Sequence, residues 1–162
     1  MDNWYTIANE QEVDSPALLV YPDRIARNIE CAIAMIGDVT RLRPHVKTHK
    51  TREILELQLK AGITKYKCAT IAEAEMLGEG GAPDVLLAYP LVGPKVARFI
   101  ALVKRFPHTS YAAIVDHFGA ARALAETATR EKVTVDAYID LDLGMGRTGI
   151  QTGKAALDLY RR

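Results

Sequence analysis

From Ala17 onward, short β-rich runs alternate with stretches in which apolar residues recur at helical spacing, and glycine or proline separates many of these segments. This alternation is typical of βα units that build a parallel sheet. Strands are predicted at residues 17–21, 40–44, 65–69, 84–88, 109–115 and 134–143.

Helix boundaries are marked by local signals. Proline at the first helical position predicts helices that begin at Pro22 and Pro94, and Gly37 is predicted to end the first of them. Thr70 followed three residues later by Glu73 is a capping-box sequence. Further helices are predicted from about Thr51 to Gly62, after a capping Asp116, and from Gly153 to the end of the chain.

The length bears on how these units assemble. The chain has 162 residues, whereas a closed eight-fold βα barrel takes about 250. An open doubly wound sheet of about five or six strands fits this length. The hydrophobic pattern alone therefore favours the open sheet, with part of a barrel as the alternative.

Composition excludes several classes of protein. Apolar residues make up 49% of the chain, and no apolar run approaches the ~20 residues of a membrane span. The first residues lack the basic and apolar pattern of an export signal, so the expected location is the cytoplasm. A net charge of +1 gives no general attraction to nucleic acid or anionic lipid. Cys31 and Cys68 lack zinc-site spacing, and both are predicted to be buried thiols.

The most unusual stretch is the basic segment 41–52. If strand geometry continues through Pro44, then Arg41, Arg43, His45 and Lys47 point to one face. The surrounding cations disfavour the ammonium form of Lys47, and a neutral amine can form a Schiff base with an aldehyde. The alternative, with equal weight, is that a solvated basic loop begins at Pro44 and that these side chains line no site. A nucleic-acid patch ranks lower, because no aromatic residues are interleaved with the charges.

A second segment, 140–149, lies at a strand-to-helix junction. Gly144, Gly146 and Gly149 have the Gly-x-Gly-x-x-Gly spacing of a dinucleotide phosphate loop. The match is weak, because the acidic ribose partner expected about 20 residues later would lie beyond residue 162.

The carboxylates of this segment have a structural interpretation. Asp140 and Asp142 share strand parity, and they can neutralise Arg41 and Arg43 if both strands contribute to one interior. A structural ion-pair layer is favoured over acid–base roles. His108 and His117, which have no partners at useful spacing, are expected to be structural or solvated.

Taken together, these segments resemble the D-threonine aldolase and D-serine dehydratase group of pyridoxal-phosphate enzymes, which share a barrel related to that of alanine racemase. The specific pieces are Arg-Pro-His-x-Lys ending at Lys47 and Asp-x-Gly-x-x-Arg-x-Gly beginning at Asp142. Looser matches lie at 15–20 and 69–75, in the same order along the chain.

This resemblance implies an α/β fold, an incomplete (β/α)8 TIM-type barrel of the alanine racemase N-terminal kind, and it overrides the preference for an open sheet. Residues 1–162 would form the N-terminal portion of the pyridoxal-phosphate-binding barrel, with the remaining strands and a β-rich C-terminal domain outside this chain. The run at 17–21 would pack with that domain. Relatives bind a divalent metal there, so no metal ligand is expected within these residues.

The resemblance also implies roles for individual residues. Lys47 would be the catalytic residue that carries the Schiff base with pyridoxal 5'-phosphate, and Arg147 would face the pyridine nitrogen. His45 would contact the cofactor region. Thr70, Tyr89 and Asp142 are expected to bind cofactor by position.

The implied activity is that of a pyridoxal-phosphate-dependent lyase acting on a small D-amino acid by aldol cleavage or elimination. Two alternatives remain: a pyridoxal-phosphate-dependent racemase, and a non-catalytic module that binds a cofactor or a nucleotide. The complete protein is expected to be a homodimer, with no nucleic-acid or membrane partner.

Overall fold

The computed structural model describes residues 3–161, and a four-stranded parallel sheet lies at its centre. Its strands lie side by side in chain order, and helices connect them: β1 (Lys65–Cys68), α3 (Ile71–Glu79), β2 (Asp84–Leu87), α4 (Pro94–Arg105), β3 (Ser110–Val115), α5 (Phe118–Arg130) and β4 (Asp136–Ile139). Each strand therefore pairs with the next one along the chain. This order is that of a singly wound barrel, and the doubly wound open sheet is wrong.

The remaining elements come before β1 and after β4 along the chain. Two helices, α1 (Pro22–Ile36) and α2 (Arg52–Lys60), precede β1. After β4 come a small parallel pair, β5 (Leu141–Asp142) with β6 (Ile150–Gln151), and a final helix, α6 (Lys154–Arg161). Helices α1 to α5 contact one another in chain order, so they form one layer. No helix within 3–161 is long and apolar enough to cross a membrane.

The core lies between this helical layer and one face of the sheet. Alternate strand residues point toward the helices, among them Tyr66, Leu87 and Tyr111, and they are almost completely buried. Phe99 on α4 is also fully buried and contacts the ring of Tyr111 edge to face, with centroids 6.2 Å apart. The other alternate residues form the inner face, where Lys67 aligns through β2 and β3 with Asp136.

An ion pair lies on the inner face of the sheet. Arg43, in the segment beside β1, donates two hydrogen bonds to Asp84 at 2.6 and 2.8 Å. These bonds are the main cause of a raised pKa of Arg43, and Tyr138 on β4 adds a smaller electrostatic contribution. The ion pair therefore links the segment beside β1 to β2.

Two predicted strands are wrong. Residues 17–21 have no strand partner within 3–161, and Leu18, Leu19 and Val20 are exposed. The segment 40–44 begins in a 3-10 turn, and only His45 forms a bridge, to Lys67. Proline at position 44 offers no N–H to a ladder, although its carbonyl accepts a hydrogen bond from the amide of Lys67.

Several local predictions are confirmed, and others need correction. The first helix starts at Pro22 and ends before Gly37 as expected. The long strand predicted at 134–143 divides at Asp140, whose N–H bonds to β3 and whose carbonyl accepts from Ile150 at the start of β6. Cys68 is buried as predicted, but Cys31 is exposed on α1.

Candidate functional site

The residues singled out by the sequence gather at the carboxyl end of the sheet. Lys47 follows the segment that bridges β1, Thr70 follows β1, and Tyr89 follows β2. Asp142 and Arg147 lie beyond β4. The carboxyl ends of parallel strands point the same way, and this is the end at which βα barrels place their active sites.

Lys47 lies in a 3-10 turn that is anchored from both sides. Val46 is fully buried, whereas the side chain of Lys47 is exposed. The backbone N–H of Lys47 donates to Nδ1 of His45 at 3.3 Å. In the described part of the chain, no carboxylate lies within ion-pair distance of the Lys47 ammonium. The turn therefore presents an unpaired lysine at the mouth of the sheet.

The surroundings of His45 favour its neutral imidazole form. Its pKa is lowered from 6.5, first by burial and then by the positive charges of Lys47 and Lys67. Because Nδ1 accepts the amide hydrogen of Lys47, the ring hydrogen is on Nε2. His45 thus orients the turn that carries Lys47.

Arg147 lies in a loop that two carboxylates hold. Oδ1 of Asp142 accepts the amides of Gly146 and Gly144, each at 3.0 Å, and these bonds lower the pKa of Asp142. The guanidinium of Arg147 is exposed and has no ion-pair partner among residues 3–161. The loop therefore presents a cation that is free to contact a ligand.

Gly144, Gly146 and Gly149 shape the loop that carries Arg147 and do not form a dinucleotide-binding site. Gly149 has a φ of +100°, and a Cβ there would lie 2.6 Å from the backbone nitrogen of Asp142. The amide of Gly149 donates to Oδ2 of Asp116 at 3.2 Å. The three glycine amides are thus already bound to carboxylates, which repel a pyrophosphate. A strand follows the loop, and α6 begins only at Lys154, so the dinucleotide alternative has no support.

Lys47 and Arg147 approach the same end of the sheet from opposite sides. If the bridging segment at His45 is counted as the first strand of a barrel, then β4 is the fifth. First and fifth strands of a closed eight-stranded barrel lie opposite each other. In the described sheet the two residues lie beyond opposite edges, at the carboxyl end.

Thr70 begins α3 and forms the predicted capping box with one difference. Its Oγ1 accepts the amide hydrogen of Glu73 at 3.1 Å. The buried carboxylate of Glu73 accepts from the amide of Ala69 at 2.8 Å, one residue before the expected partner. The Thr70 hydroxyl hydrogen is not consumed by the cap, so it remains a donor at the strand end.

Tyr89 borders a groove that the sequence did not reveal. A cavity of about 390 Å³ opens between the starts of α3 and α4, and Thr70 and Tyr89 line it together with Lys95 and Arg98. The Lys95 ammonium lies 5.1 Å from the centroid of the Tyr89 ring. Lys95 and Arg98 were missed because they lie on the polar side of an amphipathic helix, where basic residues are usually just solvated.

The predicted ion-pair layer is wrong in its partners. Arg43 pairs with Asp84 on β2 rather than with Asp140 or Asp142. Arg41 is exposed in the 3-10 turn before the bridge, so it does not share the inner face. Within residues 3–161, no group of three or more His, Cys, Asp or Glu side chains is arranged to hold a metal ion.

The cap of α5 also differs from the prediction. His117 is the capping residue, since its Nδ1 accepts the amide hydrogen of Gly119 at 3.0 Å. This leaves the carboxylate of Asp116 free to reach Gly149. No local sequence signal points to that contact, because 33 residues separate the two partners.

Residues 20–162 match the family described as alanine racemase, N-terminal domain. The chain belongs to this family. The alanine racemase N-terminal fold is a βα barrel, and the sequential parallel sheet with one helical layer is part of it.

Individual proteins of known name are also similar to this chain. D-threo-3-hydroxyaspartate dehydratase from Delftia sp. (strain HT23) is 30% identical over 139 residues, which are 85% of this chain and 36% of the relative. D-threonine aldolase from Arthrobacter sp. is 27% identical over 93% of this chain and 39% of the relative. The crystal structure of D-threonine aldolase from Filomicrobium marinum superposes with a TM-score of 0.83 at 29% identity, covering 91% of this chain and 40% of that one.

Proposed function

We propose that this chain supplies the catalytic lysine and the ring-facing arginine of a pyridoxal-phosphate-dependent lyase that acts on a small D-amino acid. The observation that carries the proposal is the placement of Lys47 and Arg147 at one end of the sheet, on opposite sides, both without carboxylate partners in the described residues. The chain spans 36% to 39% of the length of two relatives named as dehydratase and aldolase. The activity of the whole protein is therefore part of the proposal.

The residues present fit such a cofactor. A reactive aldehyde needs an accessible primary amine, and the exposed Lys47 offers one. A pyridine nitrogen without a proton needs a hydrogen-bond donor, which the guanidinium of Arg147 is. When bound, pyridoxal phosphate supplies an electron-withdrawing ring that stabilises negative charge on a substrate carbon.

Lys47 and His45 act on the aldehyde side. Lys47 would hold the aldehyde end of the cofactor, because a primary amine can form a carbon–nitrogen double bond with an aldehyde, with release of one water. His45 holds the backbone N–H of Lys47 through Nδ1, which orients the turn that carries the amine.

Arg147 and its loop act on the ring side. The guanidinium would hold the ring nitrogen by donating a hydrogen bond to it, because an arginine side chain has N–H donors and no acceptor. Asp142 contributes by ordering the loop through its two amide contacts. Thr70 offers its hydroxyl hydrogen, and the half-exposed ring of Tyr89 offers an apolar wall beside it.

The choice of lyase over racemase rests on the relatives, which are named as a dehydratase and an aldolase. We propose in addition that residues 1–162 form the N-terminal portion of the barrel, with the remaining strands, a β-rich domain and the divalent-metal site in the rest of the protein. The proposed complete enzyme is a cytoplasmic homodimer. Light scattering of the complete protein checks its oligomeric state.

Trapping of the lysine adduct tests the central claim. The chain is incubated with pyridoxal phosphate, reduced with borohydride and digested, and the modified lysine is located by mass spectrometry. We expect modification at Lys47, loss of it in Lys47→Ala, and no loss in the control Lys50→Arg, which changes an exposed neighbour in the same loop. Modification spread over surface lysines, with equal yield in Lys47→Ala, would overturn the proposal.

A further inference from the structure

The contact between Asp116 and Gly149 joins two parts of the site that are distant in sequence. Asp116 follows β3 directly, and its Oδ2 accepts the amide hydrogen of Gly149 at 3.2 Å. The carboxylate is partly buried and is not needed to cap α5, because His117 does so. The carboxylate of Asp116, at the end of a core strand, therefore binds the backbone amide of Gly149 in the loop.

Two carboxylates therefore hold the loop at its two ends. Asp142 binds the amides of Gly144 and Gly146 at the start of the loop, and Asp116 binds Gly149 at its end. Arg147 lies between the two points of attachment. A loop this rich in glycine has many alternative backbone conformations, so its average structure depends on such attachments.

The two attachments differ in origin. Asp142 belongs to the loop's own β5, so its hydrogen bonds shape the loop locally. Asp116 belongs to β3, whose residues Ala113 and Val115 are in the core. Asp116 therefore adds a side-chain tie from β3 to the end of the arginine loop (residues 143–149), beside the backbone bonds of Asp140 to Val115 and Ile150.

We propose that Asp116 is a positioning residue for Arg147: its carboxylate fixes the distal end of the loop and so aims the guanidinium at the mouth of the barrel. The contact with Gly149 is independent of any cofactor. The use of the aimed guanidinium, to meet a ring nitrogen, rests on the proposed function. Asp116 itself touches neither cofactor nor substrate in this proposal.

Limited proteolysis tests the attachment without any cofactor. Trypsin cleaves after Arg147 only when the loop leaves its bound conformation, and cleavage after Lys132, in an exposed turn, is an internal reference. Loss of a hydrogen bond to a charged acceptor should speed the Arg147 cut about tenfold in Asp116→Ala. Asp116→Asn retains an acceptor oxygen and should restore most of the protection. Asp23→Ala, on exposed α1, is the matched control and should change nothing.

Cofactor binding tests the positioning role. In the same chain, Asp116→Ala should weaken saturable pyridoxal-phosphate binding at Lys47 about tenfold and shift the visible absorption band of the bound cofactor, because the ring loses a fixed donor. Arg147→Ala should produce the same shift. In an Arg147→Ala background, Asp116→Ala should have no further effect, since its action passes through the guanidinium.

The outcomes separate this inference from the proposed function. An unchanged rate of cleavage after Arg147 in Asp116→Ala overturns the attachment, and an equal loss of binding with and without Arg147 overturns the positioning role. If no variant binds pyridoxal phosphate at Lys47 but Asp116→Ala still accelerates the cut, the proposed function is wrong and Asp116 is shown only to hold the loop. Thermal unfolding of each variant distinguishes these results from global misfolding.

Discussion

The two faces of the sheet differ in chemistry although alternating residues of the same strands build them. On the helix-facing side, Tyr66, Val85 and Leu87 are almost fully buried in the core. On the inner side, the same two strands carry Lys67 and Asp84, which are only partly buried. Burial of the helix-facing side chains thus stabilises the fold, and the inner face carries charged side chains that are partly accessible to solvent. A strand period of two allows this separation within four residues.

The largest expected effect comes from the helix-facing side. Phe99→Ala removes a fully buried ring that packs against Tyr111, and it should lower the free energy of unfolding by about 3–5 kcal/mol. Leu143→Ala, at an exposed position in the arginine loop, should cost less than about 0.5 kcal/mol. Urea titrations of both variants measure the difference. Similar losses would show that the helix-facing side is not the main source of stability.

A smaller effect is expected in the loop beyond the inner face. Gly149→Ala places a Cβ against the backbone of Asp142 in a left-handed conformation, and it should cost about 2 kcal/mol. Gly153→Ala is the matched control, because its φ is +105° and nothing lies within 4 Å of the added carbon. Denaturation midpoints compare the two, and equal losses would mean that the close approach at Gly149 contributes nothing.

The ion pair of the inner face should contribute less. Asp84→Ala leaves Arg43 with the carbonyl of Tyr66 but without its carboxylate partner, and because both side chains are partly exposed we expect a loss of about 1 kcal/mol in the free energy of unfolding. The control is Asp136→Ala, an exposed carboxylate of the same face, which should be nearly neutral. A loss as large as that of Phe99→Ala would place a main source of stability on the inner face.

The smallest effect is a dependence of stability on pH. Burial lowers the pKa of His49 below 6.5, so the unfolded chain binds a proton more readily than the folded one. The stabilisation is fully present above about pH 6.5 and is lost as the pH falls through the lowered pKa. His45 has a pKa lowered in the same direction. Unfolding measured from pH 7 downward should lose stability less steeply in His49→Asn, and an unchanged slope would contradict this prediction.

The successes and failures of sequence interpretation follow from the range of the interactions. The α3 cap at Thr70 was predictable because its partner, Glu73, is three residues away. The strand predicted at 17–21 is absent, because a strand requires a neighbouring strand and residues 17–21 have none within 3–161. The division of the predicted strand 134–143 at Asp140 was also missed. It depends on two distant partners, because the Asp140 N–H bonds to Val115 and its carbonyl accepts from Ile150.

For the candidate site, the motifs identified Lys47 and Arg147 but not how they are held. His45, two residues from Lys47, was recognisable by position. Asp116 was assigned to a helix cap, because a sequence shows the nearest use of a carboxylate and not a distant one. Lys95 and Arg98 had no signal that separates a groove lining from an ordinary solvated helix face.

The sequence by itself determined where helices begin, the β-rich runs of the four central strands, and the two side chains on which the proposed chemistry depends. These features follow from backbone preferences and hydrogen bonds within a few residues. Only the tertiary structure decided that Arg43 pairs with Asp84 and that Asp116 holds the loop of Arg147. Those contacts join residues tens of positions apart, and the order of the strands brings them together.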